Sequence, residues 1–344
     1  MKKLLTILLL LSLSYSSTLL VPDEYSTIQS AIDAASEGDS VLVSAGTYYE
    51  NIVWAATNGI KLIGSGEENC IIDGNELASV IRFEEDLGGI STTLITGFTL
   101  QNGNAQDCGY TDSHRCRGGG MYFYFSSPTF TNVIISDNSA THGGAIYISS
   151  STTPTFTNVT ISGNSATYGG GIFFLFNIHL GLDGSSPTLT NSILWSNSPE
   201  EIYFWEFESA GHSITISYSD IQGGEAGIVA NDGTVYWEDG NIDADPLFCD
   251  AENGDLTIQS DSPLLGAGQD GIDMGAYGVG CEPFIAGDVT QDGLVNVLDI
   301  VLLVNWILSD TSLTDLEVSI ADMTNDGLVN VLDIVALVNT ILNP

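Results

Sequence analysis

Ser127-Pro128-Thr129-Phe130-Thr131-Asn132-Val133-Ile134-Ile135-Ser136-Asp137-Asn138-Ser139-Ala140 recurs as Thr153-Pro154-Thr155-Phe156-Thr157-Asn158-Val159-Thr160-Ile161-Ser162-Gly163-Asn164-Ser165-Ala166, with Pro128 aligning on Pro154 26 residues later. A third copy, Ser186-Pro187-Thr188-Leu189-Thr190-Asn191 through Asn197-Ser198, follows at a spacing of 33, and a fainter one, Ile95-Thr96-Gly97-Phe98-Thr99-Leu100 ending at Ala105, precedes the set. Glycine clusters leading into alternating segments stand between them: Gly118-Gly119-Gly120-Met121-Tyr122-Phe123, Gly143-Gly144-Ala145-Ile146-Tyr147-Ile148 and Gly169-Gly170-Gly171-Ile172-Phe173-Phe174. These segments have the period of strands. A repeat of this length, with short strands and no helix, is one coil of a parallel β-helix, which buries its inward residues only by stacking on the next coil.

Stacking aligns equivalent side chains. Asn132, Asn158 and Asn191 should form one amide ladder at a turn, and Asn138, Asn164 and Asn197 a second. Alternation at Ile146-Tyr147-Ile148 points Ile inward and Tyr outward, which lines up Tyr122, Tyr147 and Phe173 on an outer face. Exposed aromatic rows bind sugar rings by apolar contact, although such a row can equally stabilise strand stacking or lie under the loop at Asn177 to Ser186. Before the repeats, Ser26 to Gln29 has the spacing of a capping box ahead of apolar residues at helical intervals, a short helix placed to cap the first coil. Val41-Leu42-Val43, Ile60 to Ile63 and Cys70-Ile71-Ile72 then begin the coils.

The opening Val21-Pro22-Asp23-Glu24-Tyr25-Ser26-Thr27-Ile28-Gln29-Ser30-Ala31-Ile32, the segment Gly46-Thr47-Tyr48-Tyr49-Glu50-Asn51 and the Asn and Gly repeats together resemble the pectin-lyase-like right-handed β-helix proteins. The resemblance covers roughly residues 20 to 280 and implies a right-handed solenoid; Asp243-Ala244-Asp245-Pro246-Leu247-Phe248 to Asp273-Met274-Gly275-Ala276-Tyr277 looks like the usual end of such helices. That family includes lyases, hydrolases and adhesins, so it implies no single activity.

The chain has 344 residues, 44 Asp and Glu against 6 Lys and Arg, and a formal net charge of -38. Lys2 and Lys3 stand in a basic start followed by the apolar run Leu4 to Leu13, the form of a secretory signal peptide cleaved between about Ser14 and Thr18. Without those two lysines, only Lys61, Arg82, Arg115 and Arg117 remain as fixed positive charges. Nucleic acid is nearly excluded as a partner, because phosphate binding needs basic neutralisation. No later apolar stretch is long enough for a membrane span. Export permits disulfides, and Cys108 with Cys116 and Cys249 with Cys281 are the candidate pairs, leaving Cys70 as a buried apolar residue.

The strongest chemical signal lies near the end. Asp288-Val289-Thr290-Gln291-Asp292-Gly293-Leu294-Val295-Asn296-Val297-Leu298-Asp299 places oxygen donors at loop positions 1, 3, 5, 9 and 12, a glycine at 6 and the Leu294 carbonyl at 7. The pattern recurs as Asp322, Thr324, Asp326, Gly327, Leu328, Asn330 and Asp333, each copy leading into an apolar helix. Hard oxygen ligands in this order point to Ca2+. Duplicated units of this kind, over about residues 286 to 344, are similar to type I dockerins, which dock onto cohesin domains. By that resemblance Asp288, Asp292, Asn296 and Asp299, with Asp322, Asp326, Asn330 and Asp333, ligate calcium, while Thr290 and Thr324 depart from the usual Asn or Asp at position 3. Positions 10 and 11, which help select the partner in dockerins, are Val297-Leu298 and Val331-Leu332. They contact a cohesin-like partner, or pack within the module or against the β-helix.

The expected organisation is therefore a signal peptide over 1–17, a mainly β solenoid over 18–283 and a small α-helical double calcium-loop module over 286–344. The expected role is a secreted, calcium-binding protein that binds or acts on extracellular polysaccharide and is tethered through its C-terminal module; a non-catalytic adhesin is the alternative. No lyase motif surrounds Asp107, Asp112, His114, Arg115 and Arg117, and no spacing marks the carboxylates of a hydrolase.

Overall fold

The computed structural model describes residues 16–84, 87, 91–106, 117–175, 184–205, 211–309 and 313–342. Nearly all of the expected signal peptide, the expected Cys108–Cys116 bridge, and Asp107, Asp112, His114 and Arg115 lie outside the described residues. Packing divides the chain into two compact units, one running to Asp243 and including Gly268–Asp270 and Met274–Ala276, the other made of Ala244–Ala267, Gly271–Asp273 and the chain from Tyr277 on.

In the first unit the repeat copies lie directly over one another. Thr129, Phe130 and Thr131 pair in parallel with Thr155, Phe156 and Thr157, and Val133 and Ile135 with Val159 and Ile161. Among the described residues three parallel sheets run along the coils. The first passes from Thr18–Val21 through Ser40–Val43, Lys61–Gly64, Leu94–Gln101, Thr129–Ser136, Thr155–Ser162, Thr188–Thr190 and Ser213–Ser217 to Thr234–Trp237. The second joins Ile52–Val53, Ile81–Phe83, Met121–Tyr124, Ile146–Ser149, Ile172–Leu175 and Ile202–Phe204; the third joins Asn104–Ala105, Ser139–His142 and Ser165–Tyr168.

Alternation decides what fills the interior. Ile146 and Ile148 point inward and are fully buried, as are Met121, Phe123, Ile172 and Phe174 at the same register. Inside, like rings stack on like: Phe83 on Phe123 at 5.2 Å, Phe130 on Phe156 at 5.3 Å and Phe174 on Phe204 at 4.2 Å between centroids. Each such pair contributes roughly 0.5–1.5 kcal/mol beyond the area it buries. The glycine clusters exist because coils meet there without side chains: a Cβ on Gly144 would lie 2.5 Å from the Gly170 carbonyl oxygen and 2.6 Å from that of Ser165.

The inner asparagine ladder forms as expected. Asn138 Nδ2 donates to Asn164 Oδ1 at 3.0 Å, and Asn164 Nδ2 to Asn197 Oδ1 at 2.8 Å, all three residues being buried. Its last rung is not an asparagine: the Asn197 amide donates to the buried carboxylate of Glu201. The outer ladder is shorter than expected. Asn132, Asn158 and Asn191 all adopt the left-handed conformation, and Asn158 donates to Asn132 at 3.1 Å. Asn191 instead accepts from the Gln269 and Gly275 amides, through its side chain and carbonyl respectively, so a returning segment of the chain takes over its bonding.

The N-terminal helix α1 spans Ile28–Ala34 and buries Ile28, Ala31 and Ile32. The expected Ser26–Gln29 capping box is not its cap. Thr27 is the N-cap and accepts from the Ser30 amide at 3.1 Å, while the Glu50 carboxylate takes the Ile28 and Gln29 amides at 2.8 and 2.9 Å. A carboxylate at this end also meets the positive pole of the helix. Gln29 is thereby free to bond Val53 and Asp33.

In the second unit Asp255–Gln259 pairs antiparallel with Phe248–Asp250 and parallel with Val279–Cys281. The Cys249–Cys281 disulfide is present and Cys70, in the first unit, is a buried free thiol, both as expected. Helices α2 (Val297–Ser309), α3 (Asp315–Ala321) and α4 (Val331–Leu342) follow. The expectation lacked α3, which begins at a Thr314–Glu317 capping box. Val289, Leu303, Ile320, Ala321 and Leu337 form their small core.

Candidate functional site

Each loop that precedes α2 and α4 folds its acidic side chains back onto its own amides. Asp288 accepts from the Asp292 and Gly293 amides at 3.1 and 2.7 Å, and Asp299 from the Thr290 and Asn296 amides at 2.8 and 2.7 Å. Thr290 Oγ1 joins the two carboxylates, 2.8 Å from Asp299 Oδ1 and 3.4 Å from Asp288 Oδ1. Gly293, at φ +82°, supplies the left-handed turn that a side chain would strain.

The second loop repeats this geometry. Asp322 accepts from Asp326 and Gly327 at 3.2 and 2.7 Å, Asp333 from Thr324 and Asn330 at 3.0 and 2.8 Å, and Thr324 Oγ1 lies 2.9 Å from Asp333 Oδ1. Asn296 and Asn330 donate through Nδ2 to the Leu294 and Leu328 carbonyls, each at 3.0 Å, while their Oδ1 atoms accept from the Leu298 and Leu332 amides at 2.8 and 2.9 Å.

Among the described residues no three His, Cys, Asp or Glu side chains form a metal cluster by themselves. The donor set is mixed instead: two carboxylates joined by a hydroxyl, with a further Asp, an Asn and a carbonyl in the same loop. Such neutral and anionic oxygens suit a hard divalent cation. Charge balance points the same way. Asp299 and Asp333 are fully buried, yet the sequence from Ala286 to Pro344 contains no Lys, Arg or His to neutralise them. Burial alone would raise the Asp299 carboxyl, but the Asn296 and Thr290 donors outweigh it and hold the group below its ordinary value, as an acceptor-only carboxylate.

Val297, Leu298, Val331 and Leu332 lead out of these loops and are 56–62% exposed, which excludes packing inside the module. Leu294, Val301 and Leu308 beside the first pair, and Leu328, Val335 and Leu342 beside the second, are exposed as well. Two like apolar strips result, one per repeat, of the kind that marks interaction surfaces.

The outer face of the second sheet carries the predicted aromatic row, extended by one ring. Tyr122, Tyr147, Phe173 and Tyr203 stack at 5.4, 5.5 and 5.8 Å. Its expected exposure is corrected: Tyr122, Tyr147 and Phe173 are 4%, 0% and 1% exposed and form a separate buried cluster, partly covered by Tyr124, Leu175, Trp205 and Val229. Flat faces that stack on each other are not available to sugars. The accessible groups are at the rim, where Tyr168 is 36% exposed and His142 packs between Tyr168 and Phe173. Arg82 and Arg117 lie over the Tyr122 and Tyr147 rings, 4.2 and 5.1 Å from the centroids. Burial, with Arg117 nearby, takes His142 down to about 4, so its imidazole is neutral at neutral pH. Sequence reasoning missed His142, Tyr168 and Trp205 because they come from different coils and carry no shared motif. The register of the third sheet pairs His142 with Tyr168, and Trp205, which follows the last strand of the second sheet, meets both rings.

Among the described residues no helix is long and apolar enough to cross a membrane. Comparison with protein families matches residues 41–242 to the right handed beta helix region and residues 286–342 to the dockerin type I domain. No curated protein matches the chain. Similar solved structures include a pectin methylesterase from Erwinia chrysanthemi, 13% identical over 60% of this chain with a TM-score of 0.38. The chain spans 66% of that enzyme's length. A pectin methylesterase from Aspergillus niger is 15% identical over 67% of this chain and 83% of its own, at 0.38, and one from carrot is 15% identical over 64% and 76%, at 0.34. Likenesses at this level carry no information about activity.

Proposed function

This chain belongs to the right-handed β-helix family and carries a type I dockerin domain, and on that premise we propose that it is an exported protein that presents a polysaccharide-binding solenoid from a calcium-organised tether. The tether docks on a cohesin-like partner through Val297 and Leu298 or Val331 and Leu332. What carries this reading is the duplication of the loops and of the exposed apolar pair beside each. An apolar strip kept in water on a small module is costly unless something covers it.

Asp288, Thr290, Asp292, the Leu294 carbonyl, Asn296 and Asp299 would hold one ion; Asp322, Thr324, Asp326, the Leu328 carbonyl, Asn330 and Asp333 would hold the other. Bound calcium supplies the positive charge that the buried carboxylates lack. The chain's own contribution is to fix the first turns of α2 and α4, since Asp299 and Asp333 belong to both loop and helix. Each apolar pair is thus held by the residue that closes its loop. The solenoid binds or processes polysaccharide at the rim of its second sheet, where Tyr168, His142 and Arg117 remain reachable. The alternative role as a non-catalytic adhesin uses the same tether.

The test is capture of the full chain on an immobilised type I cohesin, in calcium and in EDTA, together with a glycan screen for binding and for reducing-end or unsaturated products. Calcium-dependent capture, abolished when Leu298 and Leu332 are both changed to Asp, supports the tether. Capture that ignores calcium, or survives both changes, overturns it. Binding of a glycan without new products leaves a binding solenoid; no response to any glycan favours the adhesin.

A further inference from the structure

We propose that a lysine or arginine of the cohesin-like partner enters a cavity beside the first loop, so that the partner docks on the Val297 and Leu298 strip in preference to the Val331 and Leu332 strip. This rests on the tether reading above and adds the charge of the partner and the repeat it selects. The two strips are alike and uncharged, so they cannot choose between themselves. The chain that leads into them is not alike. At the 34-residue offset between Asp288 and Asp322, residues 316–319 belong to helix α3, whereas residues 282–285 are neither helix nor strand.

A cavity of about 220 Å3 opens along that irregular segment. Phe284, Ile285 and Ile320 give it apolar walls, and Glu282 and Asp288 give it acidic ones. Gly293 also lines it, and the next residue, Leu294, is 65% exposed at the head of the first strip, so cavity and strip adjoin. The segment is fixed at both ends. Cys281 is tied to Cys249 by the disulfide and its carbonyl accepts from the Ser260 amide at 2.9 Å; Gly287 donates to the Ile320 carbonyl and Asp288 to that of Ile285, each at 2.9 Å. A site held in shape before binding loses little conformational freedom when it is filled.

Charge identifies the occupant. Glu282 is exposed and accepts from the Ser260 hydroxyl at 2.6 Å, but among the described residues the only ion pair is that of Arg82 with Glu84. From Ala286 to Pro344 the sequence holds nine Asp and Glu and no Lys, Arg or His, so even two divalent ions leave the module negative. A side chain with an aliphatic stem and a cationic head satisfies both halves of the lining: the stem lies against Phe284, Ile285 and Ile320, and the head meets Glu282. Lys and Arg are the side chains built this way. Their charge-assisted bond to a carboxylate is roughly twice as strong as a neutral one, and an acidic partner face would be repelled.

The experiment measures the affinity of the full chain, in calcium, for an immobilised type I cohesin with lysines on its docking face and for the same domain with those lysines changed to glutamine. Both are run at about 50 mM and about 500 mM salt, on either side of strong screening. At low salt the lysine form should bind about tenfold more tightly, and Glu282→Gln should remove that difference. The effect of Glu282→Gln should shrink at high salt, which a merely structural side chain would not show. Leu298→Asp should weaken binding about tenfold more than Leu332→Asp, since only the first strip adjoins the cavity. Equal losses from those two changes overturn the choice of repeat. No preference for lysine, or a loss on Glu282→Gln that is the same at both salts, overturns the charge of the occupant; either result leaves calcium-dependent docking standing. No capture by either cohesin form, of a chain that still melts cooperatively, overturns this proposal and the tether together.

Discussion

Asn164→Ala is the perturbation that separates a stacked ladder from a decorative row of asparagines. The Asn164 side chain donates to the Ile135 carbonyl at 2.8 Å, the Ser162 carbonyl at 3.1 Å and Asn197 Oδ1 at 2.8 Å, and accepts from the backbone and side-chain nitrogens of Asn138, both at 3.0 Å. It is 1% exposed, so water does not replace what is lost. The Asn138 amide loses its acceptor outright, at about 1–3 kcal/mol, and the remaining bonds and the small void add to this; roughly 3–5 kcal/mol is expected. Asn158→Gly is the control. It removes one outer bond, to Asn132, at a position with φ of 53° that glycine adopts freely, and should cost about 1 kcal/mol or less. With urea dependence of about 1–3 kcal/mol per molar, the loss of the β signal should move down by roughly 1 M or more for the first variant and by a few tenths for the second. Equal, small shifts for both would refute the reasoning, because the inner amides would then not be holding the coils together.

Three further outcomes follow from the geometry. Gly144→Ala forces a Cβ to 2.5 Å from the Gly170 oxygen and should cost more than about 3 kcal/mol, read as loss of the folded β signal or of soluble protein. Burial raises the Glu201 carboxyl to about 7 against an ordinary value near 4.5, so its contribution is fully present below pH 4.5 and is lost as pH rises through 7. The stability of Glu201→Gln relative to the parent should therefore improve by up to about 3 kcal/mol across that window, in melts at successive pH values; a pH-independent difference would contradict it. Replacing Cys249 and Cys281 by Ser opens a loop of 32 residues and should lower the stability of the second unit by about 2–4 kcal/mol, with little effect on the transition of the solenoid.

The coils were legible because stacking in register demands like residues at like positions: Phe130 over Phe156 is visible both as a repeat and as a ring stack. The duplicated loops ahead of α2 and α4 were legible for a similar reason, since the order of oxygen-bearing side chains along one loop is local. What escaped the sequence depends on distant partners. Alternation sends Tyr147 outward but does not say that its neighbours bury it. Nothing near Ile28 reveals that Glu50 will cap its helix, and nothing in the third repeat shows that Gln269 and Gly275 will claim Asn191. Glu201, four residues after Asn197 on the same coil, takes the last amide of the inner ladder, a contact that no repeat marks.

The most direct measurement is a calorimetric titration of calcium into the chelator-stripped full chain, followed by the same titration for Asp299→Asn and Asp333→Asn. Two ions per chain, falling to one in each variant, is the predicted result, and saturation at about a thousand times the dissociation constant should stabilise the module by roughly 4 kcal/mol per ion. A chain that takes up no calcium, or whose stoichiometry ignores both aspartates, contradicts the account of the tether at its base.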